Sequence, residues 1–69
     1  MSMKIRFEKY ESGGNDFVLI DDRKNIYNLT TNKIKKICNR NFGVGSDGLI
    51  VLKKSSIADI KMFYFNSDG

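Results

Sequence analysis

Residues 43–48 read Gly43-Val44-Gly45-Ser46-Asp47-Gly48, GVGSDG, a literal G-x-G-x-x-G. That string is the fingerprint of a dinucleotide-binding turn, and its mechanism depends on order. A strand must run into the glycines, and a helix must leave them with its N-terminus aimed at a pyrophosphate. Here the flanks are reversed. Upstream, Ile34, Ile37 and Cys38 fall at i, i+3 and i+4 and form the apolar stripe of a helix. Thr30 stands where an N-cap is needed, and Leu29 before it is placed to staple onto Ile34. Downstream, Leu49-Ile50-Val51-Leu52 is an unbroken apolar run, the pattern of a buried strand. The helix end that meets the loop is its C-terminus, whose partial negative charge repels phosphate, and Asp47 adds a formal one. The glycines are therefore expected to serve backbone geometry. Gly43 is read as the left-handed residue that stops the helix, and Gly45 and Gly48 as a sharp turn into the strand. Arg40 is expected in the last helical turn, where the dipole favours a cation.

The same loop contains a GxxG, Gly45-Ser46-Asp47-Gly48, the form by which KH domains clamp a nucleic-acid backbone. That loop joins two helices, whereas a strand follows here. No tight aromatic cluster of the RNA-recognition type accompanies it.

Residues 3–10, MKIRFEKY, alternate Met3, Ile5 and Phe7 with Lys4, Arg6 and Glu8, the period of a half-buried strand. Ser12-Gly13-Gly14-Asn15 reads as a turn, and Asp16 to Asp21 as a short strand buried on both faces, so the two strands should form an antiparallel hairpin. Asp22 to Asn28 is polar and irregular. Ala58 to Phe65 reads as a fourth strand, with Ile60, Met62 and Tyr64 on one face and Lys61, Phe63 and Phe65 on the other. Asn66-Ser67-Asp68-Gly69 is a turn signal. The predicted order is β-β-α-β-β, an α/β fold with a mostly antiparallel or mixed sheet. A last strand that is apolar on both faces needs cover that 69 residues hardly supply.

Size sharpens that point. A 69-residue chain buries only about 60% of the surface its unfolded form exposes, and small domains usually need a disulfide, a metal or a partner. The sequence has one cysteine, Cys38, and no histidine, so neither an internal disulfide nor a zinc site is available. Yet five Phe and three Tyr supply ample core material. The segment is expected to pack against the remainder of its own chain or a second domain. The longest apolar runs, Phe17 to Ile20 and Leu49 to Leu52, are four residues long, against about 20 for a membrane span. The alternating start lacks a signal peptide's apolar core, so a cytoplasmic location is expected, with no membrane partner. The net charge of +4 admits a nucleic-acid surface, but lysines such as Lys33, Lys35, Lys36, Lys53 and Lys54 fit a solvated helix face and a turn, and no nucleic-acid partner is expected.

Three segments together resemble one family, the diaminopimelate epimerases. Gly14-Asn15-Asp16-Phe17 is similar to the family's G-N-D-F. Residues 39–49, NRNFGVGSDGL, resemble its R-x-x-G-x-G-x-D-G-L at a helix-to-strand junction. Phe65-Asn66-Ser67-Asp68-Gly69 looks like its F-N-x-D-G. Order and spacing agree over nearly the whole sequence. The resemblance implies that residues 1–69 are a partial N-terminal domain of a two-domain protein, and that a central helix following Gly69 covers the sheet. It implies an isomerase of lysine and peptidoglycan precursor biosynthesis that interconverts LL- and meso-2,6-diaminoheptanedioate without pyridoxal phosphate, metal or other cofactor. It admits a homodimer of the full-length protein.

In the implied mechanism two cysteines face the substrate α-carbon from opposite sides, one removing the proton as thiolate and the other donating one. The family's first cysteine follows F-N-x-D-G in a C-G-N segment, and the second lies in the other domain. Cys38 matches neither, and on the apolar stripe it reads as a small buried residue. No catalytic residue is thus expected in this chain, which should be inactive alone. The resemblance assigns substrate contacts to Asn15 and Asn66. A carboxamide offers a carbonyl to an ammonium and an NH2 to a carboxylate, and diaminopimelate has two of each. On the residues alone, both read as turn asparagines rather than binding ones. Many family members have His-Gly where this chain has Glu11-Ser12, and some place a substrate-contacting glutamine where it has Gly48. A proline racemase-like or phenazine-pathway isomerase of the same fold is the near alternative.

Overall fold

The computed structural model describes residues 4–56 and 59–69. Its elements are β1 (Glu8–Ser12), β2 (Asn15–Asp21), α1 (Thr31–Cys38), β3 (Gly48–Lys53) and β4 (Lys61–Asn66). The strands form one mixed sheet in the order β1-β2-β3-β4. Outer pairs β1–β2 and β3–β4 are antiparallel, and the central β2–β3 pair is parallel. The parallel seam needs a crossover, and α1 lies on that crossover.

The β1–β2 hairpin follows from its turn. Gly13 and Gly14 both take positive φ, at 58° and 86°, as a two-residue type I′ turn requires. They leave Ser12 and Asn15 as the closing pair. The strand read from Met3 is shorter than its alternation implies. Pairing stops at Glu8 opposite Leu19, residues 4–7 lie outside β1, and Met3 is outside the described residues.

α1 starts as its residues require. Thr30 has extended backbone and its hydroxyl oxygen accepts the Lys33 N–H at 3.2 Å. Leu29 packs against the core cluster that holds Ile34. The other end differs from expectation. The helix stops at Cys38 with Asn39 as cap, in extended rather than left-handed backbone, and Gly43 is not among the positive-φ residues. Asn39 supplies the turn: its side-chain oxygen accepts the N–H groups of Asn41 and Phe42 at 2.8 and 3.0 Å. Gly43 is needed for a different reason. A Cβ there would lie 2.0 Å from the Lys36 carbonyl oxygen and 2.7 Å from that of Ile37, so only glycine fits against the end of the helix.

The core lies between one face of the sheet and α1. Val18, Ile20, Leu49 and Val51 face Ile34 and Cys38, with Tyr27 closing the cluster. Fully burying each such aliphatic side chain contributes about 1.5–3 kcal/mol, which makes this layer the main attachment of helix to sheet. Because side chains alternate along a strand, the other face carries Tyr10, Phe17, Leu19, Ile50, Leu52, Met62 and Tyr64, all exposed or half-buried. β2 and β3, read as buried on both faces, are thus fully buried on one only. β4 starts at Lys61 rather than Ala58, which is outside the described residues. Of its apolar residues only Phe65 is even half-buried, and Lys61 reaches over the Phe63 ring at 5.2 Å.

The stretch 22–28 is also more structured than its polarity implies. Asp22 is buried at 1% exposure, and its carboxylate accepts the N–H groups of Ile26 and Tyr27 and pairs with Lys53. Burial pushes its pKa up, but these hydrogen bonds outweigh it and the net direction is down. This buried acid ties the loop before α1 to the far end of β3.

Candidate functional site

The register brings Asn15 and Asn66 to the same end of the sheet. Asn66 pairs with Gly48, Gly48 pairs with Phe17, and Asn15 lies two residues before Phe17. By strand alternation Asn15, Gly48 and Asn66 share the face opposite α1. Two strand spacings across and two residues along separate the asparagines by about 12 Å, a span that admits a small polar molecule. Both are exposed, so their carboxamides are available to a ligand.

Gly48, between them, is the narrowest point. A Cβ there would meet the Tyr64 hydroxyl at 2.4 Å and its ring at 2.8 Å. Tyr64 leans over the glycine onto Phe17, with ring centroids 5.8 Å apart in an edge-to-face arrangement. Tyr64 therefore fills the space above Gly48 that a side chain at this position would need.

Behind this face, on the α1 side, is a charged cluster. Arg40 lies past the helix and not in its last turn. Its guanidinium donates to both carboxylate oxygens of Asp16 at 2.9 and 3.1 Å and to Asp47 at 3.1 Å. Two carboxylates this close outcompete the helix dipole for the cation. Asp16 and Asp47 also bind each other. The Asp47 N–H donates to the Asp16 carboxylate at 2.8 Å, and the Asp16 N–H donates to the Asp47 carboxylate at 3.2 Å. Lys9 of β1 pairs with Asp16 at 3.1 Å and donates to the Gly45 carbonyl.

The Arg40 guanidinium, then the Asp47 N–H and Lys9, hold the Asp16 carboxyl well below the usual carboxylate range. Its stabilising contribution is therefore complete above about pH 4 and is lost as pH falls below that value. Acid titration of unfolding stability should fall more steeply for the unmodified full-length protein than for Asp16→Asn; parallel curves would contradict this role.

The glycine loop spends its donors internally. Gly43 N–H donates to the Asn39 carbonyl, Gly45 to Ile37, Ser46 to Cys38 and Asp47 to Asp16, at 2.9 to 3.1 Å. These are the N–H groups a phosphate cradle would need, and two of them satisfy the last helical carbonyls instead. Gly45 does take positive φ, at 83°, as a turn glycine should. Cys38 is buried and its sulfur accepts the Ser46 hydroxyl at 3.3 Å. Among the described residues no group of three His, Cys, Asp or Glu side chains is placed to hold a metal ion. Nor is any described helix long and apolar enough to cross a membrane.

Sequence periodicity misses Asp16, Arg40 and Asp47, because charged residues beside turns carry no period. Their signal lies only inside the motifs, as the D of G-N-D-F and the R and the D of the glycine segment.

The fold and site define a class: a small α/β domain with a four-stranded mixed sheet, one end of which presents two carboxamides. Comparison with known proteins gives the family. The diaminopimelate epimerase model matches residues 7–69. Diaminopimelate epimerase of Alkaliphilus metalliredigens is 46% identical over 68 residues, covering 97% of this chain and 24% of that protein. That of Flavobacterium psychrophilum is 47% identical over 66 residues, covering 94% and 26%. That of Chlorobaculum tepidum is 48% identical over 56 residues, covering 81% and 22%. The chain belongs to the diaminopimelate epimerase family. It spans about a quarter of the length of the curated relatives it matches.

Proposed function

We propose that this chain is the first part of a cofactor-independent diaminopimelate epimerase, and that it positions substrate while the acid/base chemistry is supplied by cysteines elsewhere in the full-length protein. The observation that carries this reading is the convergence of Asn15 and Asn66 on one end and one face of the sheet. Diaminopimelate ends in two ammonium–carboxylate pairs, and a carboxamide serves either charge. Inverting an α-carbon needs one group to take the proton and a second, on the opposite face, to return one. The only thiol here, Cys38, is buried in the helix–sheet layer. The open apolar face of the sheet would then be covered by the family's central helix. The full-length protein would act in the cytoplasm, in lysine and peptidoglycan precursor synthesis.

The test is α-proton exchange in deuterated water. Full-length protein given LL-diaminopimelate should incorporate deuterium as it forms the meso isomer. Residues 1–69 alone should incorporate none, and exchange by this segment would overturn the assignment of the acid/base groups.

A further inference from the structure

Asp47 touches the neighbours of both asparagines. Its N–H donates to the carbonyl and carboxylate of Asp16, next to Asn15, at 3.1 and 2.8 Å. Its own carbonyl accepts the Ser67 N–H, next to Asn66, at 3.1 Å. One residue thus spans the two outer strands of the site across the start of β3. Arg40 then bridges Asp47 to Asp16 through one nitrogen, Nη2, at 3.1 and 2.9 Å. The Asp16 and Asp47 side chains lie on the α1 side of the sheet, by alternation with Val18 and Leu49, and the two asparagines lie on the other.

We propose that Asp16, Asp47 and Arg40 are positioning residues that set the separation of Asn15 and Asn66 from behind the sheet, and so tune substrate binding without touching substrate. This rests on the reading of the two asparagines as the substrate contacts. The argument is one of geometry. Backbone ladders fix neighbouring strands, but their ends fray, and the asparagines occupy ends. Asp16 and Asp47 precede the first β2–β3 ladder pair, Phe17 with Gly48. Their reciprocal hydrogen bonds extend the pairing by one rung, and the guanidinium holds that rung closed. Loss of the bridge would let Asn15 drift relative to Asn66. A misplacement of about 1 Å in a site costs up to about 100-fold in rate.

The test is a double-mutant cycle in the full-length protein. Arg40→Ala should raise KM for LL-diaminopimelate about tenfold, with a smaller fall in kcat. Arg40→Lys should recover only part of the loss, because an ammonium is a point charge and not a planar fork. In the Asn66→Ala background, removing Arg40 should change KM by less than about twofold, since the spacing then serves nothing. A merely structural role predicts the same factor in both backgrounds, and that additivity overturns the clamp. Should Arg40→Ala fail to fold, the cycle is run with Arg40→Lys and judged by the same criterion. If Asn66→Ala alone leaves kinetics unchanged, the substrate assignment falls and the clamp with it. If Asn66→Ala is impaired but the cycle is additive, only the clamp falls.

Discussion

Replacing Gly43 with alanine in the full-length protein is expected to cost at least about 3 kcal/mol of stability, the upper end of overpacking effects. The added methyl would sit 2.0 Å from one backbone oxygen and 2.7 Å from another. Backbone at the end of a helix cannot swing aside as a side-chain tip can. Relief would require moving the glycine loop, which is tied to the helix by Gly45 and Ser46 and to β2 by Asp47. Since domains are stable by only about 5–15 kcal/mol, the loss should appear as a large fall in the denaturation midpoint and in soluble yield. A change under about 1 kcal/mol would mean that the loop yields easily, and the tight approach would lose its meaning.

Asn66→Ala is expected to lower kcat/KM for diaminopimelate by about 10- to 100-fold. A hydrogen bond to a charged group contributes about 1.5–3 kcal/mol, and each 1.36 kcal/mol is a factor of ten. Stability should change little. Asn66 is exposed, and its backbone pairing with Gly48 is open to alanine as well. Folding and site therefore separate cleanly in this variant. Steady-state epimerisation with an unfolding curve on the same sample checks both. Unchanged kcat/KM would remove Asn66 from the site.

What the sequence makes legible here depends on whether the deciding interaction is local. The Gly13-Gly14 hairpin, the Thr30 cap and the Ile34/Cys38 stripe are set by neighbours within four residues, and each stands where the residues put it. Gly43 is misread because a glycine past a helix has two uses. Left-handed backbone is the common one, whereas the close approach here depends on where Lys36 and Ile37 carbonyls lie in space. Arg40 is misread for the same reason: its partner Asp16 is 24 residues away in sequence. Strand burial is overread because an apolar run says which residues can be covered, not what covers them. Asn15 and Asn66 are nameable from motifs, but that they share an end and a face depends on the parallel register of β2 and β3.

That register has a kinetic consequence. Asn15 belongs to the β1–β2 hairpin and Asn66 to the β3–β4 pair. Each of these antiparallel units joins segments close in the chain, and such contacts form early and cheaply. The β2–β3 seam instead joins residues 31 apart, as Phe17 to Gly48, and closing so long a loop carries the larger entropic cost. Neither unit holds both carboxamides. The spacing between them comes into being only when the seam zips, so the pairing with the larger entropic cost is also the one that assembles the site.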